Sequence, residues 1–259
     1  MAPPQNQLLV ARLGLLPYAE ALDFQRAVAR ARITGAVPED VLLIVEHPPV
    51  VTLGRRTQAS SLPFGADLLR ARGVEVFEVE RGGDVTLHAP GQLVGYPVVD
   101  LKRHRKDLHW YLRQVEAGLI DGIAPFGLAG VREAGYTGVW AERAGGRRKL
   151  ASIGVHARDW VTWHGFALNV TEEPLRYFDL IVPCGIAGVE MTSVSREAGR
   201  AVTVAQVARE VVRGFGRAFD LVPVTLTPGE LRERLDTASS GTANADTASI
   251  DTARGVAGR

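Results

Sequence analysis

Apolar positions recur every three or four residues in three stretches of this 259-residue chain, and each stretch predicts a helix. Over residues 16–33, Ala21, Leu22, Gln25, Val28 and Ala29 fall on one face, and Pro17 suits a first helical turn. Leu108, Tyr111, Leu112, Val115, Leu119 and Ile123 predict a second helix, and Val204, Val207, Val211 and Phe215 a third. Shorter patterns predict strands. An apolar run over 41–46 stops at the His47-Pro48-Pro49 turn, and 50–53 continues as a strand before Gly54. Val74, Val76 and Val79 alternate in part with Glu75 and Glu78, as a half-buried strand would. Residues 139–142, 150–157 and 166–170 are further strands separated by glycine-rich or charged turns. Strands and helices mix without regular βαβ alternation, which predicts an α+β fold: a mixed β-sheet flanked by helices.

From Asp236 the pattern dissolves. Thr, Ala, Ser, Gly and Asp dominate, and Asp-Thr-Ala recurs at Asp236, Asp246 and Asp251. Such a stretch buries too little apolar surface to offset its ordering entropy. The expected organisation is one catalytic domain over 1–235 and a low-complexity, disordered tail over 236–259.

Composition narrows the function classes. Hydrophobic residues make up 46%, enough for a substantial core, and the net charge of +1 is far from that of a nucleic-acid protein. A single cysteine, Cys184, excludes an intramolecular disulfide and cysteine-rich metal sites. No charged leader with an apolar run opens the chain, and no stretch reaches a membrane span of about 18 apolar residues. The expected setting is cytoplasmic, where a lone thiol stays reduced. The six histidines form no tight helical pair, so no metal is expected.

Three segments carry candidate chemistry, each with a plainer alternative. In Arg81-Gly82-Gly83-Asp84-Val85-Thr86-Leu87-His88, paired glycines permit close approach of a ligand to backbone, and Thr86 and His88 share one face of an extended segment. The same residues suit a tight turn bearing a surface histidine. Lys149 precedes Leu150-Ala151-Ser152-Ile153-Gly154 and is either a solvated charge beside Arg147 and Arg148 or an amine entering a strand. Cys184 lies between Pro183 and Gly185, either a packed core thiol or a nucleophile with room beside it. A free thiol with a pKa of about 8.5 is mostly protonated at neutral pH, and a lysine can activate it by charge or by taking the proton. Arg103, Arg105 and Lys106, and Arg143, Arg147 and Arg148, are candidate docking patches for an acidic partner.

Taken in order, these segments resemble the lipoyl(octanoyl) transferase family. The matching residues are Glu46-His47-Pro48-Pro49 with Thr52-Leu53-Gly54, then Arg81-Gly82-Gly83 through His88 and Pro90-Gly91-Gln92 to Tyr96. Lys149 through Gly154, His164-Gly165-Phe166-Ala167-Leu168-Asn169-Val170 and Pro183-Cys184-Gly185-Ile186 complete the set.

The resemblance implies the catalytic fold shared with lipoate and biotin protein ligases. It implies transfer of octanoyl from octanoyl-acyl carrier protein to lysines of lipoyl domains of 2-oxoacid dehydrogenases and of the glycine-cleavage carrier protein, without a cofactor. By the same resemblance Cys184 holds the acyl thioester and Lys149 activates it. Arg81, Gly82, Gly83, Asp84, Val85, Thr86, Leu87 and His88, with Ser152, Ile153, Gly154, Gly165, Phe166 and Ala167, line the acyl pocket, and His164 supports its loop. Leu87 stands where the family usually has an aromatic residue and Ala89 where glycine is common; the first is expected to reshape the pocket. Two rivals remain at this point. One is an ATP-dependent lipoate or biotin ligase, which needs no cysteine nucleophile. The other is a noncatalytic acyl-carrier or lipoyl-domain binding protein.

Overall fold

The computed structural model of the protein describes residues 6–143, 146–182 and 189–237, so Cys184 and residues 238–259 lie outside it. Eleven strands and five α-helices can be named. They are β1 (Gln7–Leu15), α1 (Tyr18–Thr34), β2 (Asp40–Glu46), β3 (Val50–Leu53), α2 (Gly65–Ala71), β4 (Glu75–Glu78), β5 (Val85–His88) and β6 (Gln92–Val98). After these come α3 (Leu108–Ile123), β7 (Gly130–Val131), β8 (Gly138–Arg143), β9 (Gly146–Arg158), β10 (Val161–Asn169), α4 (Val194–Ala198), α5 (Val204–Phe219) and β11 (Val222–Leu226). Residues 228–237 are also helical, so the helix runs past the domain boundary expected at 235.

Eight strands form one mixed sheet in the order β11-β1-β2-β6-β10-β9-β8-β7. β1 runs parallel to β2 and β11, and the other neighbours are antiparallel. A second, three-stranded sheet has the order β4-β3-β5. This is the mixed, helix-flanked α+β architecture that the hydrophobic pattern predicts.

Both faces of the large sheet are covered, which explains the unbroken apolar run of β2: Val41, Leu42, Leu43, Ile44 and Val45 are all buried, alternately towards opposite faces. On one face, α3 contributes Tyr111, Val115, Leu119 and Ile123, and α5 contributes Val207, Val211, Phe215 and Phe219. These two helices touch backbone to backbone. A methyl on Gly214 would sit 2.3 Å from the Gly118 carbonyl, and one on Gly122 would meet Val211 at 2.7 Å. On the other face lie Ala21, Phe24 and Val28 of α1, with Leu231 and Leu235 from the terminal helix. Caps fix the helix ends. Asp107 accepts from the Trp110 amide at the start of α3, and Thr203 and Gln206 form a reciprocal capping box at α5, each worth about 1 kcal/mol.

Strand β6 carries Gly95 and Pro97, breakers that hid it from the hydrophobic pattern, yet it sits mid-sheet. Its pairing with β10 covers Gln92 to Gly95 only, so Pro97 lies beyond that ladder and its missing N–H costs nothing there. The Pro97 carbonyl accepts instead from Tyr111 and Thr162 hydroxyls. Across from it, a methyl on Gly165 would stand 2.1 Å from the Gly95 carbonyl and 2.6 Å from Pro97 Cδ. Both obstacles are main chain or ring, so Gly165→Ala is expected to destabilise the fold by about 3 kcal/mol. Urea unfolding would show a lower midpoint at unchanged slope; an unaltered midpoint would mean β6 and β10 part more easily than the geometry allows.

Candidate active site

The two sheets bound a cavity of about 820 Å3. Its walls include Ser152, Ile153, Gly154 and Val155 of β9 and His164, Gly165, Phe166 and Ala167 of β10. The loop and strand from Arg81 to Thr86, with His88, add a second wall, and Tyr18 and Tyr96 a third. Lys149 and Val155 both line it, six residues apart on β9, a span of roughly 20 Å at the rise of an extended strand.

Backbone geometry lets the glycine loop reach the sheet. The Gly82 amide donates to the Val155 carbonyl at 2.8 Å, directly over Gly154, where a methyl would lie 3.0 Å from the Gly82 carbonyl. Arg81 is buried and fixed. Its Nε and Nη2 donate to the Thr52 hydroxyl and carbonyl, and Nη1 to the Gly82 carbonyl. Asp84 accepts from the Ser61 hydroxyl at 2.6 Å and from the Val85 amide at 2.7 Å, which closes the loop.

Thr86 and His88 do share a face, and both line the cavity. His88 is buried, so it is not the surface histidine of a simple turn. Leu87 points the other way. Strand alternation buries it with Val51, Leu69 and Phe178 beneath the small sheet, so its departure from the family pattern acts on that packing and not on the cavity wall. Of the fourteen non-catalytic positions expected to line a pocket, Leu87 is the one the cavity leaves out. His164, expected to support a loop, is instead a residue of β10 with φ of 56° in the cavity wall, its amide donating to Gln25 Oε1.

Lys149 is not a solvated charge. It is 2% exposed, and its Nζ lies 5.0 Å from the Trp140 ring centroid. Its backbone is clamped from one side: the Lys149 amide donates to the Glu190 carbonyl, and the Thr192 amide donates to the Lys149 carbonyl, both at 2.9 Å. Glu190 and Thr192 follow the segment 183–188 that carries Cys184. Before that segment, the Val182 amide donates to the Ser61 carbonyl at 3.0 Å, and Val182 lines the cavity.

Sequence reading missed a buried polar group beside the cavity. His47 Nδ1 lies 2.7 Å from the Leu16 carbonyl, which only accepts, so this nitrogen carries the hydrogen and Nε2 accepts from the Tyr96 hydroxyl, also at 2.7 Å. Burial pushes His47 down to about 4 and His88 down to about 3, the latter helped by His47, Arg81 and His164, so both rings are neutral at pH 7. Glu80 is held well below the usual carboxylate range by the His164 ring, 3.7 Å away, and by hydrogen bonds from Arg26 and Trp163. The Glu46-His47 and Tyr96 matches hinted at this group, but nothing local showed that the residues meet.

The basic clusters lie among carboxylates. Arg148 pairs with Glu197 at 2.8 Å, Arg147 with Glu133, and Arg105 with Asp107 at 3.4 Å, while Arg103 donates to the Pro38 carbonyl. None of these residues lines the cavity. Among the described residues no group of three His, Cys, Asp or Glu is arranged to hold a metal ion, and no helix is long and apolar enough to cross a membrane.

Residues 17–216 match the family model described as the lipoyl protein ligase A/B catalytic domain. A protein of Rubrobacter xylanophilus named octanoyltransferase is 49% identical over 204 residues, covering 78% of this chain and 89% of the relative. An octanoyltransferase of a Nostoc species is 45% identical over 219 residues, covering 85% and 95%. Among solved structures, the bipartite lipoate protein ligase of Thermoplasma acidophilum, studied with its E2 lipoyl domain, superposes with a TM-score of 0.67 at 17% identity over 92% of this chain and 91% of that one. A lipoate-protein ligase A bound with ATP gives 0.67 at 15% identity over 92% and 94%. At such identities the structures establish the shared fold.

Proposed function

The chain belongs to the lipoyl protein ligase A/B catalytic-domain family and is an acyltransferase, and from that premise we propose that it moves octanoyl from acyl carrier protein to lipoyl-domain lysines through a thioester on Cys184. One observation carries this reading. A buried amine, Lys149, stands in a cavity wall and is bonded through its backbone to Glu190 and Thr192, immediately beyond the segment that bears the chain's one thiol.

In the first half-reaction the Lys149 amine takes the Cys184 proton. The thiolate attacks the thioester carbonyl, the new C–S bond forms, the bond to the carrier sulfur breaks, and the carrier thiolate leaves with the proton returned by Lys149. In the second, a lysine amine attacks the acyl-Cys184 carbonyl. The C–N bond forms, the C–S bond breaks, and the surplus proton passes by way of Lys149 to the cysteine thiolate. Thioester exchange is nearly balanced and amide formation runs downhill, so no ATP is needed. Backbone N–H groups of 152–154 or beside Gly185 would stabilise the oxyanions. The acceptors proposed are lipoyl domains of 2-oxoacid dehydrogenases and the glycine-cleavage carrier protein.

The fold shared with an ATP-bound ligase keeps adenylate chemistry as a second reading. Incubating purified protein and a lipoyl domain with octanoyl-acyl carrier protein alone is expected to give octanoylated domain by intact mass. Free octanoate with ATP and Mg2+ should give none; the reverse pattern would make the chain a ligase.

A further inference from the structure

A directed chain of hydrogen bonds runs from the strand-like segment after Cys184 to the cavity. The Thr192 carbonyl, which only accepts, takes a hydrogen from Asn169 Nδ2 at 3.0 Å. Asn169 therefore turns its Oδ1 to Gln92 Nε2, 2.9 Å away. Gln92 in turn offers Oε1 to His88 Nδ1 at 2.8 Å. Each link fixes the next, so Nδ1 of His88 carries the hydrogen and Nε2 keeps its lone pair. All four residues are buried, and His88 lines the cavity. Thr192 also donates its amide to the Lys149 carbonyl, so the chain joins the backbone beside Lys149 to the cavity wall at His88.

We infer that His88 is a fixed hydrogen-bond acceptor for an N–H of the incoming primary amine, held in that state by Gln92 and Asn169 as positioning residues. The inference rests on the acyl transfer proposed above. A thiol-to-thioester exchange brings no N–H donor to the reacting carbon. An attacking amine does, and it must aim its lone pair at the carbonyl while its hydrogens point elsewhere; Nε2 of His88 accepts one of them without taking the proton. Its ring stays neutral across the working pH range because burial depresses its basicity, so proton carriage stays with Lys149. A free imidazole in water favours the opposite tautomer, so the arrangement leaves a spectroscopic mark.

Two-bond 1H–15N correlation spectra of histidine-labelled protein, with His88 assigned by its loss in His88→Gln, should show Nδ1 protonated and Nε2 bare from pH 5.5 to 8. Gln92→Met removes the acceptor and should release His88 to the other tautomer. In single-turnover reactions the same variant should load octanoyl from the carrier within about 3-fold of the parent rate, yet pass it to a lipoyl-domain lysine about 10- to 30-fold more slowly. A parent protein with hydrogen on Nε2, or equal slowing of both half-reactions in Gln92→Met, overturns the inference. Failure of the parent to form any acyl-enzyme would remove the covalent route instead, while the tautomer measurement would still decide the state of His88.

Discussion

Cys184→Ser is expected to lower octanoyl transfer by about 10,000-fold or more and to abolish the acyl adduct seen by intact mass. A serine hydroxyl is far less acidic than a thiol, so an amine able to deprotonate cysteine leaves it unionised. Removing a nucleophile that acts as a unit with its base costs nearly all of the covalent route, and what survives reflects binding and orientation alone. The single cysteine makes the result unambiguous, because no other thiol in the chain can carry the acyl group. Turnover near the parental rate in Cys184→Ser would end the thioester mechanism and return the adenylate reading to first place.

Lys149 should give the second-largest loss, and a pair of substitutions separates its two possible contributions. Lys149→Met keeps the aliphatic stem against Trp140 and removes the amine; kcat is expected to fall about 100- to 10,000-fold, the usual range for a general acid–base group. The fold should not suffer, since an unbranched apolar side chain of similar volume fills the same buried space. Lys149→Arg keeps the charge, but a guanidinium does not give up its proton at working pH. It is expected to be nearly as impaired as Lys149→Met in steady-state assays. An arginine variant that recovers most activity would show that Lys149 acts only by charge.

The helices were legible because each buries one continuous stripe: the spacing of Tyr111, Val115, Leu119 and Ile123 is a local property, and so is that of Val207, Val211 and Phe215. The strand β2 was legible for the same reason. Strands β1 and β11 escaped because they pair across almost the whole chain, Gln7 with Val222. Strand β6 escaped because Gly95 and Pro97 read as breakers until their neighbours are known. The candidate site divides in the same way. The glycine loop and Lys149 were conspicuous by type, but the burial of Lys149 depends on Met191 and its neighbours, which no local pattern joins to it. That His47, His88, Tyr96, His164 and Glu80 form one group was not legible for a further reason. Its members are single polar residues, and most of their partners lie far away along the chain, as in His47 with Leu16 and Trp163 with Glu80. Hydrophobic periodicity reports which face is dry; it carries no information about which buried polar groups satisfy one another.

The contact between Gly165 and the Gly95 carbonyl also limits how this architecture can diversify. Where main chain abuts main chain, selection has no side chain to enlarge or trim, so the floor at that point has a fixed depth. Adjustable positions lie two residues along the strands, where Ala167 and Ser152 are registered opposite each other on β10 and β9 and both border the cavity. Relatives adapted to shorter or longer cargo would therefore differ at these two small residues, while the glycine stays constant.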